Sequence, residues 1–253
     1  MARYTDKLAL ISGGRGAFGQ AIARQLRTEG ARVVLADIAY EGLSLTPGAE
    51  GDEIRLDVTD EASWDRIVAE VEDRRGRIDL FVNGAGVICP ESYAFEDFPY
   101  DDWRRLFEIN THGTFLGTRA AIRHMKTHGG GAVVNIGSVA GYVGSADAAA
   151  YGPSKAAVSN TSKQAALSAA LSGHNVRVNT VHPGFVWTSL IEGKMLRIYR
   201  DAETAQRAIA AQLPLGRLAR PEDVAYAVAF LGSHEAESIT GADLVIDAGR
   251  LLK

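Results

Sequence analysis

The chain has 253 residues, a formal net charge of −4, 46% hydrophobic residues and 23% charged residues. At this length roughly 70–75% of the unfolded surface is buried on folding, so no covalent staple is needed and wholesale disorder is excluded. The mild acidity, without long runs of one sign, argues against nucleic-acid or membrane-surface binding, and the single cysteine, Cys89, excludes an intrachain disulfide and a cysteine-rich zinc site. Cys89 reads as a small buried hydrophobe.

In chain order, short apolar β-branched runs occur at Leu8–Ile11, Arg32–Ala36, Glu53–Leu56, Leu80–Asn83, Ala132–Ile136, Val176–Val181 and Leu244–Ile246. Most are apolar at consecutive positions, the pattern of strands covered on both faces. Between them lie segments of helical spacing. One starts at Phe18 with Ile22 and Leu26 on a stripe, and one follows Thr59 with Trp64, Ile67, Val68 and Val71. Others cover Trp103–Met125, Ala150–Leu171 and Glu222–Leu231. This alternation predicts an α/β fold, a doubly wound, mostly parallel sheet of about seven strands with helices on both faces. Residues 1–253 read as one dinucleotide-binding and catalytic domain, with an irregular helical insertion at about 185–215. The N-terminus MARYTDKLALISGG enters a glycine-rich turn too early for a secretory signal, and no stretch approaches the roughly 18 apolar residues of a membrane span. A cytoplasmic location is the expectation.

The turn ISGGRGAFG, Ile11 to Gly19, follows the first strand and opens the first helix. A diphosphate requires backbone N–H groups at a helix N-terminus and no side chain in its path, which glycines provide. Asp37 ends the second strand 24 residues after Gly13, where a carboxylate accepts hydrogen bonds from ribose hydroxyls. Tyr151 and Lys155 are four apart on a helix, with Cβ atoms about 5–6 Å apart. An ammonium near a phenol favours the phenolate, by at most roughly 4 kcal/mol, or about 3 pKa units, at an effective dielectric near 20. Ser138 ends a strand 13 residues before Tyr151, placed to donate to a substrate oxygen as charge develops there. The six histidines, His182 among them, have no metal-ligand spacing and read as surface or packing residues, so no metal is implied.

These motifs, in this order, resemble those of the classical short-chain dehydrogenase/reductases. Ser12, Gly13 and Gly19 match the family's T-G-x-x-x-G-x-G, with Ala17 in place of the middle glycine. Asp57-Val58 resembles the acid-plus-valine pair beside the adenine, and Asn83-Gly84-Ala85-Gly86 resembles N-N-A-G, with Gly84 replacing the second asparagine. Asn110 in EINTHGTF, Ser138 in NIGS, Tyr151 and Lys155 in YGPSK, and Pro183-Gly184 with Thr188 in VHPGFVWTSL complete the set. The resemblance implies a Rossmann sheet of family strand order 3-2-1-4-5-6-7, NAD as cofactor, and a homotetramer pairing the helices near 103–125 and 150–171. It implies catalytic roles for Asn110, which holds a helix kink and a water chain towards Lys155, and for Ser138, Tyr151 and Lys155. It places Gly13, Arg15, Ala17, Phe18, Gly19, Asp37, Ile38, Asp57, Val58, Asn83, Ala85, Gly86, Tyr151, Lys155, Pro183, Gly184, Val186 and Thr188 around the cofactor. For Arg15, a solvated surface arginine is the competing reading.

The implied reaction interconverts a secondary alcohol and a ketone by hydride transfer, with Tyr151 as general acid/base. Two rivals are an NADPH-linked 3-oxoacyl thioester reductase, which a basic residue near position 37 or 38 would favour, and a non-catalytic nucleotide sensor, expected to lose Tyr151 or Lys155. The stretch after Gly184 is expected to be a mobile lid with Ile191, Met195, Ile198 and Tyr199 on one inward apolar stripe. That favours an uncharged substrate. Lys194, Arg197 and Arg200 carry the opposing reading, an anion-binding lid, but Glu192, Asp201 and Glu203 offset them.

Overall fold

The computed structural model describes residues 2–41, 43–44, 52–89, 91–146 and 148–253. The chain runs through β1 (Leu8–Ser12), α1 (Ala17–Thr28), β2 (Arg32–Asp37), a two-residue β3 (Leu43–Ser44), β4 (Asp52–Arg55), α2 (Glu61–Arg75) and β5 (Leu80–Asn83). There follow α3 (Tyr100–Phe107), a π-helical turn at Glu108–His112, α4 (Gly113–Met125), β6 (Gly131–Ile136) and α5 (Tyr151–Leu171). The chain then forms β7 (Val176–Pro183), α6 (Ser189–Met195), α7 (Ala202–Ala210), α8 (Pro221–Gly232) and β8 (Asp243–Ile246).

The strands lie in the order β3-β4-β2-β1-β5-β6-β7-β8. Seven of them form the expected doubly wound parallel sheet. The addition is β3, which pairs antiparallel with β4 through Leu43↔Ile54 and Ser44↔Glu53; two residues are too few to display a period in sequence. Consecutive apolar residues in β1 serve both faces of the sheet. Leu8 and Leu10 pack with Trp64, Ile67 and Val71 of α2 and Ala121 and Met125 of α4. Ala9 and Ile11 pack with Ile22 and Leu26 of α1 and Val224 and Val228 of α8. Each such side chain, fully buried, contributes about 1.5–3 kcal/mol.

Local signals set the helix ends. The Asp60 carboxylate accepts from the Ala62 N–H to start α2, Gly76 at φ 85° stops it, and Pro221 opens α8. β1 lies between β2 and β5, so the chain departs from it in opposite directions. A crevice therefore opens at the carboxyl ends of these strands, where open α/β sheets bind ligands.

Candidate active site

Two cavities, of about 340 and 560 Å³, share Gly13, Gly16, Gly84, Gly86 and Val87 in their walls and form one cleft along the carboxyl edge of the sheet. One end holds Asp37, Ile38, Asp57, Val58 and Ala85; the other holds Ser138, Tyr151, Lys155, Pro183, Gly184, Val186 and Thr188. Ala17, Phe18 and Gly19 line the middle. The fold thus brings together most of the expected site, from six different strand ends.

Gly13 has φ 72°, and a Cβ there would come within 2.7 Å of the Gly84 and Ala85 backbone. A larger residue would both strain the turn and push β1 from β5. The Ser12 hydroxyl accepts from the Gly84 and Ala85 N–H groups at 3.2 and 3.4 Å, tying the turn to the next strand end. The first turn of α1 has neither a side-chain cap nor an acidic residue, so its N–H groups face the cleft unsatisfied by protein side chains. That is the electrostatic requirement for a diphosphate. Ala17 begins this helix; its methyl lies in the cleft wall.

The Asp37 oxygens accept from the Arg15 and Ala39 N–H groups, each at 3.0 Å. A carboxylate offers about four lone-pair sites, so two hydrogen bonds fix its orientation and leave capacity for a ribose diol. The Arg15 guanidinium is not in the cleft wall: it donates to the Ala39 carbonyl at 3.3 Å and lies over the Tyr40 ring at 6.0 Å. Asn83 is also placed elsewhere. Its amide donates to Asn135 at 2.7 Å and to Thr118 at 3.3 Å inside the core, so its side chain braces β5 against β6 rather than facing the cleft.

At the opposite end, Tyr151 is the first residue of α5 and Lys155 lies one turn on. The Lys155 ammonium donates to the Ile136 carbonyl at 2.8 Å and sits 5.9 Å from the centre of the Tyr151 ring. Burial lowers its pKa to about 8. The anticipated fall in the Tyr151 pKa does not appear: burial raises it, and only a hydrogen bond with Ser138 works the other way. The ammonium is directed at a strand carbonyl, so in this arrangement its field does not offset the phenol's desolvation. Asn110, wholly buried, sits in the π-helical turn between α3 and α4. Its carboxamide accepts from the Val87 N–H at 2.8 Å and donates to the Val87 carbonyl at 3.0 Å and the Ser154 hydroxyl at 3.1 Å. It therefore clamps the strand-end loop to α5, a use of π turns common at functional sites.

Sequence reasoning missed several wall residues, including Thr59, Ile88, Arg105, Glu108 and Ile109. Arg105, Glu108 and Ile109 are brought in by the tertiary path of α3 and the π turn, whereas Thr59 and Ile88 lie within two residues of the Asp57-Val58 and Asn83–Gly86 motifs. The insertion after β7 is helical, but its apolar stripe is incomplete. Helix α6 ends at Met195, the i+7 register is lost, and Ile198 is 64% exposed. Arg197 reaches across to form an ion pair with Glu91, on the loop after β5, and Arg200 pairs with Asp201. Behind Tyr151, the buried Cys89 packs with Leu106 and Ala150.

Residues 15–250 match the family described as enoyl-(acyl carrier protein) reductase. The NADP-dependent (R)-specific alcohol dehydrogenase of Lentilactobacillus kefiri is 37% identical over 257 residues, covering 98% of this chain and 97% of that protein. The cyclopentanol dehydrogenase of Comamonas sp. (strain NCIMB 9872) is 36% identical over 255 residues, 98% of each chain. The ligand-free structure of Thermoplasma acidophilum aldohexose dehydrogenase superposes with a TM-score of 0.90 at 30% identity, covering 100% of this chain and 96% of that one.

Proposed function

The chain belongs to the short-chain dehydrogenase/reductase family, and from that premise we propose that it interconverts neutral secondary alcohols and ketones, with NAD as hydride carrier and Tyr151 as proton-transfer group. The observation that carries the reading is the single cleft with Asp37 held by two backbone N–H groups at one end and Ser138, Tyr151 and Lys155 at the other.

The uncapped N-terminus of α1 fits a dinucleotide diphosphate. Asp37 would hold the adenosine ribose, and Lys155 the nicotinamide ribose. A 2′-phosphate would meet the fixed Asp37 carboxylate; two unit charges about 4 Å apart repel by roughly 1–4 kcal/mol between water-like and protein-surface screening. This supports NAD over NADP here, although one relative is named NADP-dependent. Asp37-Ile38 likewise stands against the NADPH-linked thioester reductase, and the retention of Tyr151 and Lys155 against a mere sensor.

The bound nicotinamide supplies the hydride chemistry. The chain's own residues handle the proton. In oxidation, the Tyr151 phenolate accepts the substrate hydroxyl proton; in reduction, the phenol returns it to the carbonyl oxygen. The Ser138 hydroxyl, hydrogen-bonded to Tyr151, donates to the oxygen on which negative charge develops. Val87, Ile88, Val186, Leu190 and Ile191 line the space beside this pair and offer little to a charged group. Arg197, the central residue of the anionic-substrate reading, is engaged with Glu91. A neutral alicyclic alcohol fits these walls, consistent with a relative named for cyclopentanol. The segment around α6 acts as the lid.

Initial rates with cyclopentanol, cyclohexanol and a hydroxycarboxylate, each with NAD and NADP, test the reading. The neutral alcohols with NAD should exceed every other combination in kcat/KM by about tenfold or more, the ratio that 1.4 kcal/mol supplies. A preference for NADP, or turnover of the anionic substrate alone, contradicts it. The proposal extends to assembly as a homotetramer, because α4 and α5 leave Phe115, Leu167 and Leu171 exposed and soluble oligomers close symmetrically. Light scattering at micromolar protein should give four times the 27.0 kDa chain mass; a monomer contradicts it.

A further inference from the structure

The last residue before Pro183 in β7, His182, is wholly buried and lies beside the loop that carries Ser138. The register Asn135↔Thr180 and Ile136↔Val181 places it opposite Gly137. Its Nε2 is 2.9 Å from Asp243 Oδ1, at the start of β8. Asp243 is a full carboxylate: burial works to raise its pKa, but hydrogen bonds from Lys163, His182, Ser159 and Tyr142 outweigh it and hold the pKa at about 2. An ionised carboxylate only accepts, so the ring proton sits on Nε2. With that proton on Nε2, Nδ1 presents a lone pair, which accepts from the Ser138 N–H at 3.2 Å. The Ser138 carbonyl is equally near Nδ1 but has no proton to offer.

The contact is tight on every side. A Cβ on Gly137 would come within 2.5 Å of His182 Cε1 and Nδ1, so the Nδ1–Cε1 side of the ring is close against the residue that leads into Ser138. Tyr142 packs edge-on against the ring, with centroids 4.9 Å apart. Asp243 in turn accepts from Ser159 at 2.9 Å and from Lys163 at 2.6 Å, both on α5, the helix that carries Tyr151 and Lys155. The Ser138 backbone is thus referred, through one ring and one carboxylate, to the helix bearing the proton-transfer pair.

We infer that His182, held by Asp243, is a positioning residue that fixes the Ser138 hydroxyl against Tyr151 by accepting the Ser138 backbone N–H. The inference rests on the oxidoreductase reading of that site. Preorganised donors lose much of their effect with displacements of an ångström or less, and a loop serine has no such precision without a brace.

The test is a double-mutant cycle of His182→Leu with Ser138→Ala, read as kcat and KM for cyclopentanol with NAD. His182→Leu should lower kcat about ten- to hundredfold, the scale of one buried hydrogen bond, with KM and NADH affinity within about twofold. In the Ser138→Ala background the same change should cost less than about twofold, since the brace then has nothing to position. His182→Asn, whose amide oxygen can accept in place of Nδ1, should restore most of the loss. A fully additive cycle, or losses in KM and NADH affinity that match the loss in kcat, overturns the inference, because a general packing defect behaves that way. Should His182→Leu not fold, Asp243→Asn keeps the ring and removes its ionic anchor; it should give the same non-additivity, and additivity there overturns the inference equally. Hydrogen exchange at the Ser138 amide reads the brace without turnover. Protection lost in His182→Leu or Asp243→Asn supports the brace even if cyclopentanol is not oxidised and the functional reading fails; unchanged exchange overturns it.

Discussion

At the residue scale, the proposed chemistry turns on the half-buried Tyr151 and the buried Lys155. Burial raises the Tyr151 pKa and lowers that of Lys155 to about 8, so near neutrality the tyrosine is a phenol and the lysine is mostly an ammonium. A phenol is the competent form for donating to a ketone; a phenolate is needed to accept from an alcohol. The sign follows directly. Raising the pH populates the phenolate and speeds oxidation, whereas reduction is fastest on the acidic side and declines as the phenol is lost. Measured with cyclopentanol and cyclopentanone, the two kcat/KM profiles should slope in opposite directions through the alkaline range. Parallel profiles would mean that Tyr151 is not the group being titrated. The methyl of Ala17 and the missing side chain at Gly84 are the two departures from the family pattern in the cleft wall. A Cβ at Gly84 would lie 2.8 Å from the Ser12 carbonyl oxygen, so this backbone leaves no room for an asparagine there.

Elements differed in how plainly their sequences announced them. Most of the seven parallel strands were legible because they are apolar at consecutive positions, as burial on both faces demands, whereas β4, Asp52-Glu53-Ile54-Arg55, is not. Helices α1 and α2 were legible from their apolar stripes, and α5 and α8 from their helical spacing. The long segment through Trp103 and Met125 reads as one helix with a kink that the resemblance implies at Asn110, and the structure shows this kink as a π turn that turns Asn110 towards Val87. The insertion after β7 was the least legible. Its apolar residues match helical spacing over nine positions, yet α6 stops at Met195 and Ile198 beyond it is exposed. The charges there also find partners that sequence proximity does not predict, since Arg197 chooses Glu91, 106 positions away, over the acids beside it. His182 shows the same limit from the other side. Nothing in the spacing of the histidines marks it, but the register of β6 on β7 sets it against Gly137.

Across the whole molecule, the polar clusters divide by the end of the sheet they occupy. At the carboxyl end, the buried groups converge on the cleft. Far from it, His124 and His128 of the α4 end stack at 4.3 Å, and both lie 3.0 Å from Glu72 oxygens on α2. Three ligand-type atoms converge there, but the Ile78 N–H donates to His124 Nε2 at 3.0 Å. That fixes the ring proton on Nδ1, the atom a metal would require, so the cluster acts as a hydrogen-bonded brace between α2 and α4. Among the described residues, no helix is long and apolar enough to cross a membrane. The account therefore depends on the cleft, and within it on one hydroxyl. The most direct measurement is kcat for Tyr151→Phe alongside its NADH affinity. The account predicts a fall in kcat of about a thousandfold or more with NADH affinity within about twofold of the unmodified protein, because only the proton-transfer group is removed. A variant that keeps more than about a tenth of the activity would contradict it.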